Sequence, residues 1–312
     1  MSTGPLVGPP AGGTAVPGAL GAVYDRGYRP YVGPRGGRRE AALAVWRLSV
    51  RRALGLRRSW RQKVFPWSLL AIASVPAIIE VGVAYAIRDD PIEFADFNFT
   101  TYREYVGVST ALLVFVALSA PDAICPDRRH RVLPLMFSRP LTGADYVWAK
   151  LGAIFAIVFG FGFLPQVVLF VGQMLVSDGA LDYFTDNADV IWKVPAAVAV
   201  LAAYYAALGV ALASLTDRRI VGGVALIGTI LVSSGVAGAF IEASDDEASV
   251  MAVVNLLALP LGVRDLIFLG HVTEDTGMQG IAGGGILTIT GYLVVLLGSL
   301  AVAFARYREV DL

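Results

Sequence analysis

The sequence predicts an all-α polytopic membrane protein with six transmembrane helices. Hydrophobic residues make up 56% of the 312 residues, charged residues only 16%, and the mean hydropathy is +0.66. A soluble domain carries about 25% charged residues. Six apolar stretches have the length of about 20 residues that a helix needs to cross a bilayer. The composition excludes a soluble enzyme and a disordered chain, and the single cysteine, Cys125, excludes an internal disulfide framework.

Residues 1–37 precede the first helical pattern. They contain ten Gly and six Pro and no apolar run of signal-peptide length, so we expect a mostly disordered cytoplasmic tail. The later part of this tail interleaves Tyr24, Tyr28 and Tyr31 with arginines. That pattern fits a solvated tail and an arm that docks on a partner or on lipid headgroups equally well.

Residues 38–64 predict a basic amphipathic helix in the membrane interface. An apolar stripe follows one face at helical spacing, and arginines lie off that face. A basic tail that binds nucleic acid is the alternative, but two tryptophans and a span that starts directly afterwards favour the bilayer. No nucleic-acid partner is therefore expected. The residues assigned to the interfacial helix are Trp46, Arg47, Arg51, Arg52 and Trp60.

The six spans lie between residues 65 and 305. Their predicted bounds are 66–87, 103–120, 151–176, 194–215, 220–241 and 281–305. One further apolar stretch, 249–263, is too short to cross, contains Pro260 and is closed by Arg264 and Asp265. We assign it to short re-entrant or interfacial helices before the last span, within an outer hairpin at 242–280.

The distribution of charge predicts the orientation. With the N-terminus inside, 21 of the 25 Lys and Arg residues fall in inner segments, of which the last is the C-terminal segment 306–312. This asymmetry follows the positive-inside rule, so both termini are expected in the cytoplasm. Only three basic residues are lysines, and Ala, Gly and Val are abundant, as in GC-rich bacterial genomes. We therefore expect a multi-pass protein of a bacterial cytoplasmic membrane.

The inner loop at 121–150 is the most informative segment. From 127 to 150 it reads DRRHRVLPLMFSRPLTGADYVWAK, an arginine cluster followed by an apolar patch and a proline break. Thr142 and Asp145 have capping-box spacing, which predicts the start of the third span's helix. A short amphipathic helix between prolines can dock in a groove of a soluble partner. The alternative is a membrane-surface loop whose arginines only follow the topology.

This loop resembles the first cytoplasmic loop of ABC-2-type transporter permeases. The front end, YDRGYRPYVGPRGGRR with GLRRSWRQKVFPW, resembles a branch of that family common in actinobacteria, and the likeness extends from about residue 24 to the end. At His130-Arg131-Val132 the chain departs from the family, which often has a small residue such as Gly followed by Thr. The matching residues are Asp127, Arg128, Arg129, Leu133, Leu135, Ser138, Arg139, Pro140, Leu141, Tyr146 and Lys150.

The resemblance implies a permease subunit of an ABC transporter of the exporting kind, driven by a separate ATPase. It implies that the segment 127–141 is a coupling helix seated in the ATPase, and that two ATPase copies and a second permease copy or a paralogue complete the complex. The sequence contains no G-x-x-x-x-G-K-[ST] motif, because none of its three lysines follows a glycine. ATP and Mg²⁺ would therefore be bound by the partner, and no cofactor, catalytic residue or metal site is expected in this chain.

Glu80 is the only acidic residue deep within a predicted span. A carboxylate inside the bilayer costs several kcal/mol unless it is protonated, paired or hydrated, so it is a candidate functional residue. It can face a substrate path or close a helix contact. Two other functions remain open: a proton-linked secondary carrier that uses Glu80, and a non-transporting membrane anchor for an ATPase complex.

Overall fold

The computed structural model describes residues 36–56, 60–87, 101–106, 109–138, 140–243 and 250–308. The predicted tail lies outside the described residues except for Gly36 and Gly37. Within the described ranges all regular structure is helical. The α-helices there are α1 (Arg38–Ala53), α2 (Trp60–Ile87), α3 (Tyr102–Val106), α4 (Ser109–Arg129), α5 (Leu133–Phe137), α6 (Gly143–Val176), α7 (Ala180–Asp186), α8 (Val190–Ser214), α9 (Arg219–Ala243), α10 (Ala258–Leu269) and α11 (Gly284–Arg308).

Five of these helices are long and apolar enough to cross a membrane, which makes the chain a multi-pass membrane protein. They correspond to the first, third, fourth, fifth and sixth predicted spans. The second predicted span, 103–120, falls on α3 and the first half of α4. The described part of α4 joins an apolar half to an end that carries Asp127, Arg128 and Arg129, so it is not one of the five apolar helices.

Helix α8 lies at the centre of the bundle. Most of its side chains are buried, and it packs against α4, α6, α9, α10 and α11. Its sequence is rich in alanine, and small side chains let neighbouring helices approach closely. The outward faces of α2, α9 and α11 expose large apolar side chains, as expected where lipid rather than water is the solvent.

The predicted interfacial helix divides into two helices. α1 ends at Ala53, and Gly55 follows with φ 66°, the left-handed conformation that glycine adopts without strain. Trp60 to Val64 belong to α2, which continues directly into the first span. α1 packs on α6 and α4 along one side.

The hairpin before the last span contains a 3-10 turn at Val250–Val254 and then α10. Pro260 lies in the first turn of α10, where its missing N–H has no helical acceptor to lose. Arg264 and Asp265 were expected to close this apolar stretch, but α10 continues to Leu269 and buries both of them. Their charges compensate each other, because Arg264 donates to Asp265 at 2.7 and 2.9 Å.

Candidate functional site

The segment 127–141, here called the α5 segment, projects from one end of the bundle between two long helices. α4 ends at Arg129, and the turn that follows places Arg131 at φ 51°. This is the left-handed region that favours glycine, and it falls where the chain departs from the permease pattern. Pro134 occupies the first turn of α5, a position that tolerates proline.

A capping box starts α6 immediately after the α5 segment. The Asp145 N–H donates to the Thr142 hydroxyl, and the Thr142 N–H donates to Asp145 Oδ2 at 3.0 Å, which confirms the predicted capping box. Arg38, in the first turn of α1, donates to the same carboxylate at 2.7 Å. The starts of α1 and α6 are therefore joined.

Burial divides the α5 segment into an inner part and an exposed tip. Asp127, Leu133 and Leu141 are buried, and Arg128 is partly buried. Leu135 is 72% exposed although it is a large apolar residue. Of the other residues predicted to form the docking surface, Arg129, Ser138 and Pro140 are exposed. Arg139, also predicted to belong to the docking surface, lies outside the described residues.

Asp127 is the centre of an ion cluster beneath α5. Its Oδ1 accepts a hydrogen bond from Arg52 of α1 at 2.8 Å, and its Oδ2 accepts one from Lys150 of α6 at 2.6 Å. The Tyr146 hydroxyl also donates to Oδ2, at 3.1 Å. Lys150 donates in addition to the Ala123 carbonyl at 2.6 Å. One carboxylate therefore joins α1, α4 and α6.

Pairing between the charges of this cluster offsets the free-energy cost of removing them from water. Burial raises the pKa of the Asp127 carboxyl, but Lys150 and Arg52 outweigh this effect and hold the pKa below its ordinary value. Asp127 is 2% exposed, and Lys150 is equally buried. Removing one partner of such a buried pair strongly destabilises the folded protein, because the other charge is left buried and uncompensated.

Aromatic rings extend the cluster to two more helices. The Tyr146 ring lies edge-on to Phe137 of α5, with centroids 6.2 Å apart. Its other neighbour is Tyr307 near the end of α11, at 5.0 Å. The Lys150 ammonium lies 5.2 Å from the Tyr146 ring centroid, within cation–π range. Phe137 of α5 thus contacts α6 through Tyr146, and Tyr146 in turn joins Asp127 of α4 and Tyr307 of α11.

The turn between α8 and α9 is attached to the same end of α4. Arg128 pairs with Asp217 at 3.0 Å and donates to the Ser214 carbonyl. Arg219 pairs with Asp122 at 3.2 Å. Arg128 was predicted to belong to the docking surface, and its guanidinium contacts this turn.

The residues assigned to the interfacial helix have different surroundings. Arg52, predicted on the basic outer face, turns inward to Asp127. Trp46 is partly buried against Gly152 of α6, whereas Arg47 and Arg51 are exposed. Trp60 is 77% exposed at the start of α2. The structure therefore packs part of this surface on the bundle and leaves the rest facing outward.

A chamber of about 540 Å³ lies between α4 and α9, open beside the end of α1. Apolar side chains such as Leu118 and Val224 line its length, and Arg52 and Arg219 lie at the end nearest α5. The Ser119 hydroxyl in its wall is buried without a hydrogen-bond partner among the described residues. The walls of this chamber are therefore mostly apolar, and its charged groups lie at one end.

Glu80 is buried in α2, on the side that faces α3, and is 4% exposed. Its neighbours in the helix, Ala77 and Val81, pack against α3 and α6. Burial, a hydrogen bond with Tyr183 and the Glu80 charge together raise the pKa of the Tyr102 phenol well above its ordinary value. Glu80 is not among the residues that line the α4–α9 chamber.

No protein-family model matches the chain, and no curated protein matches it. In the parts of the chain that the structure describes, no three His, Cys, Asp or Glu side chains lie together as metal ligands would. The function therefore has to be argued from the geometry of the α5 end of the bundle.

Three residues of the Asp127 cluster had no predicted role. Tyr146 and Lys150 carried the resemblance, and their spacing of four residues places them on one face of α6. A lysine beside an apolar span needs a partner, which is the signal that could have identified it. Tyr307 gave no such signal, because its contact with Tyr146 depends on how α11 returns to this end of the bundle.

Proposed function

We propose that this chain is the membrane-spanning permease subunit of an ABC-type exporter, driven by a separate ATPase that docks on the α5 segment. The observation that carries it is that the α5 segment exposes Leu135 and Arg129, while its Asp127 pairs with Arg52 of α1 and Lys150 of α6. A short helix that presents an apolar side chain can lie in a groove of a soluble partner, and an exposed arginine on the same segment can pair with acidic groups at the rim. The same resemblance that predicted a coupling helix at 127–141 supports this assignment.

The cluster beneath α5 would turn a push on the tip into a movement of helices. Asp127 lies in the last turn of α4, before α5, and α6 starts soon after α5 ends. Arg52 and Lys150 bind the same carboxylate, so α1, α4 and α6 would move together. Movement of α4 relative to α9 would change the width of the chamber between them, which is the candidate path for an apolar or amphipathic substrate.

The proposed complex contains two ATPase copies and a second permease copy or a paralogue, in a bacterial cytoplasmic membrane with both termini in the cytoplasm. ATP and Mg²⁺ would be bound by the ATPase. In the proposed topology α4 also crosses the membrane, in addition to the five apolar helices. It would return the chain to the cytoplasmic side, where α5 would lie. A membrane anchor for an ATPase complex would use the same docking surface without the chamber.

Replacing Leu135 with Asp is expected to abolish ATPase binding while the chain remains inserted. The substitution places a charge at the centre of the apolar tip, and the loss of an interface hot spot costs about 2 kcal/mol or more, which is about 30-fold in affinity. The measurement is the amount of ATP-hydrolysing subunit that co-purifies with the tagged chain from its native host in mild detergent.

Leu181 provides the matched control, because it is 80% exposed on α7, far along the sequence from the α5 segment. Leu181→Asp introduces the same charge and should retain the ATPase. Equal ATPase recovery with Leu135→Asp and wild type would contradict docking on the α5 segment. A wild-type chain that purifies without any ATP-hydrolysing subunit would contradict the proposal as a whole and favour the secondary carrier.

Glu80→Gln is expected to leave thermal stability unchanged and nucleotide-driven activity within about twofold of wild type. Glutamine keeps the shape of the glutamate side chain, and Glu80 lies on the α3 side of α2 rather than in the chamber wall. The test compares partner-stimulated ATPase activity and thermal stability of the reconstituted complex. A tenfold loss of activity with unchanged stability would instead assign Glu80 to the transport path.

A further inference from the structure

A second pocket lies at the opposite end of α6, between α6, α7 and the start of α8. Its volume is about 250 Å³, smaller than the sites that bury drug-sized ligands. Phe163 and Phe170 of α6, Phe184 of α7 and Pro195 of α8 form much of the wall. The rings of Phe170 and Phe184 meet at 6.3 Å, and none of the lining side chains is charged.

The pocket is held in shape by contacts outside its wall. Tyr183 of α7 and Tyr102 of α3 share a hydrogen bond of 2.6 Å between their hydroxyls. Phe170 packs against both of these tyrosine rings, at 5.8 and 6.2 Å. The short helix α7 is therefore fixed over α6 by two aromatic contacts and a hydrogen bond, and Phe184 is held at the pocket.

One polar side chain belongs to this apolar wall. Gln166 is 2% exposed, and its Nε2 donates to the Tyr102 carbonyl at 3.4 Å. Its Oε1 is buried and accepts no hydrogen bond from the described residues. A buried acceptor without a donor is unfavourable, so a donor in the pocket would be bound favourably.

A second acceptor comes from the backbone of α8. Pro195 has no N–H, so the carbonyl of Ile191, one turn earlier, lacks its helical donor. Both residues line the pocket. Gln166 is the one side chain in the lining that can form hydrogen bonds, and its donor group already bonds Tyr102. Water is a poor occupant, because buried waters usually make about three hydrogen bonds and these walls are otherwise apolar.

We propose that this pocket binds a neutral, apolar, membrane-soluble molecule that carries a hydroxyl group, with an alkyl body against the phenylalanines and its O–H donated to Gln166 Oε1. The absence of charge in the lining excludes an ionic headgroup by the cost of burying it unpaired. The pocket is separate from the α5 segment and from the α4–α9 chamber, so the inference does not depend on the proposed function.

Photolabelling of the full chain in lipid nanodiscs tests this proposal. The probe is a ten-carbon primary alcohol with a diazirine in its chain, and the competitors are 1-decanol and decyl methyl ether, which cannot donate. We expect label on peptides that contain 163–170 and 190–195. We expect 1-decanol to displace it about tenfold more effectively than the ether, because a site built to receive a donor discriminates against a ligand that lacks one.

Three variants separate the possible outcomes. Gln166→Leu should bring the ratio of the two competitors close to one, whereas Gln173→Leu, two turns further along α6 and outside the pocket wall, should preserve it. Val167→Trp fills the pocket from its partly exposed side and should lower labelling at least tenfold. Labelling that Val167→Trp does not reduce, or equal competition by alcohol and ether in wild type, would overturn the proposal and indicate a plain lipid crevice.

Discussion

Replacing Asp127 with Asn should lower the free energy of unfolding by roughly 3–5 kcal/mol. The substitution removes the negative charge that compensates Lys150, which is 2% exposed and has no route to water in its present position. For a chain of this size the loss corresponds to a decrease in melting temperature of roughly 10 °C. The measurement is thermal unfolding of the purified chain in one detergent, followed by a signal that reports cooperative loss of structure.

Asp217→Asn is the matched control for this prediction. The same chemical change there removes a pair with Arg128, but the Asp217 side chain is 59% exposed, so the expected cost is at most about 1 kcal/mol. Combining Asp127→Asn with Lys150→Met removes both buried charges and should recover most of the stability. If Asp127→Asn were as stable as Asp217→Asn, the cluster would not hold the base of α5.

Gly223→Ala should destabilise the contact between α4 and α9 by about 1–3 kcal/mol. A Cβ at this position would lie 2.5 Å from the carbonyl oxygen of Ala117, which is backbone and cannot rotate away. The two helices would have to separate, and the chamber that Gly223 helps to line would change shape. Thermal unfolding measures the loss of stability, and ATPase activity of the assembled complex reports any effect on coupling.

Gly228→Ala separates this steric effect from the general preference of helices for alanine. Gly228 lies on the same helix, and a Cβ there would meet no atom within 4 Å. We expect stability to rise by at most about 1 kcal/mol, since alanine has the higher helix propensity. A Gly223→Ala chain that gains stability like Gly228→Ala would show that α4 and α9 are not in close contact at Ala117.

Local sequence patterns predicted where helices lie more reliably than they predicted what each side chain contacts. The capping box at Thr142 and Asp145 could be read from spacing alone, because both partners lie within one helical turn. The spacing of the arginines in α1 did not predict which of them are exposed and which are buried. Arg51 and Arg52 are adjacent in the sequence, yet Arg51 is exposed and Arg52 reaches a carboxylate 75 positions further along the chain.

The glycines of α9 show the same limit. Composition indicates that a helix rich in glycine can pack closely, but it does not say which glycine is in contact. A Cβ at Gly223 would collide with α4 and one at Gly222 would press against Pro121 at 3.2 Å, whereas Gly228, Gly235 and Gly238 have open space beside them. The choice depends on where α4 crosses α9, which is a property of two distant segments.

The sequence by itself determined that this is a helical multi-pass membrane protein, because hydropathy and segment length respond to the bilayer rather than to neighbouring helices. It also located the segment between α4 and α6 as the part richest in charged and apolar motifs. Only the tertiary structure decided that Asp127 anchors this segment while Leu135 is exposed. Burial and ion pairing are set by residues from α1, α6 and α11, and the order of residues along one segment does not contain that information.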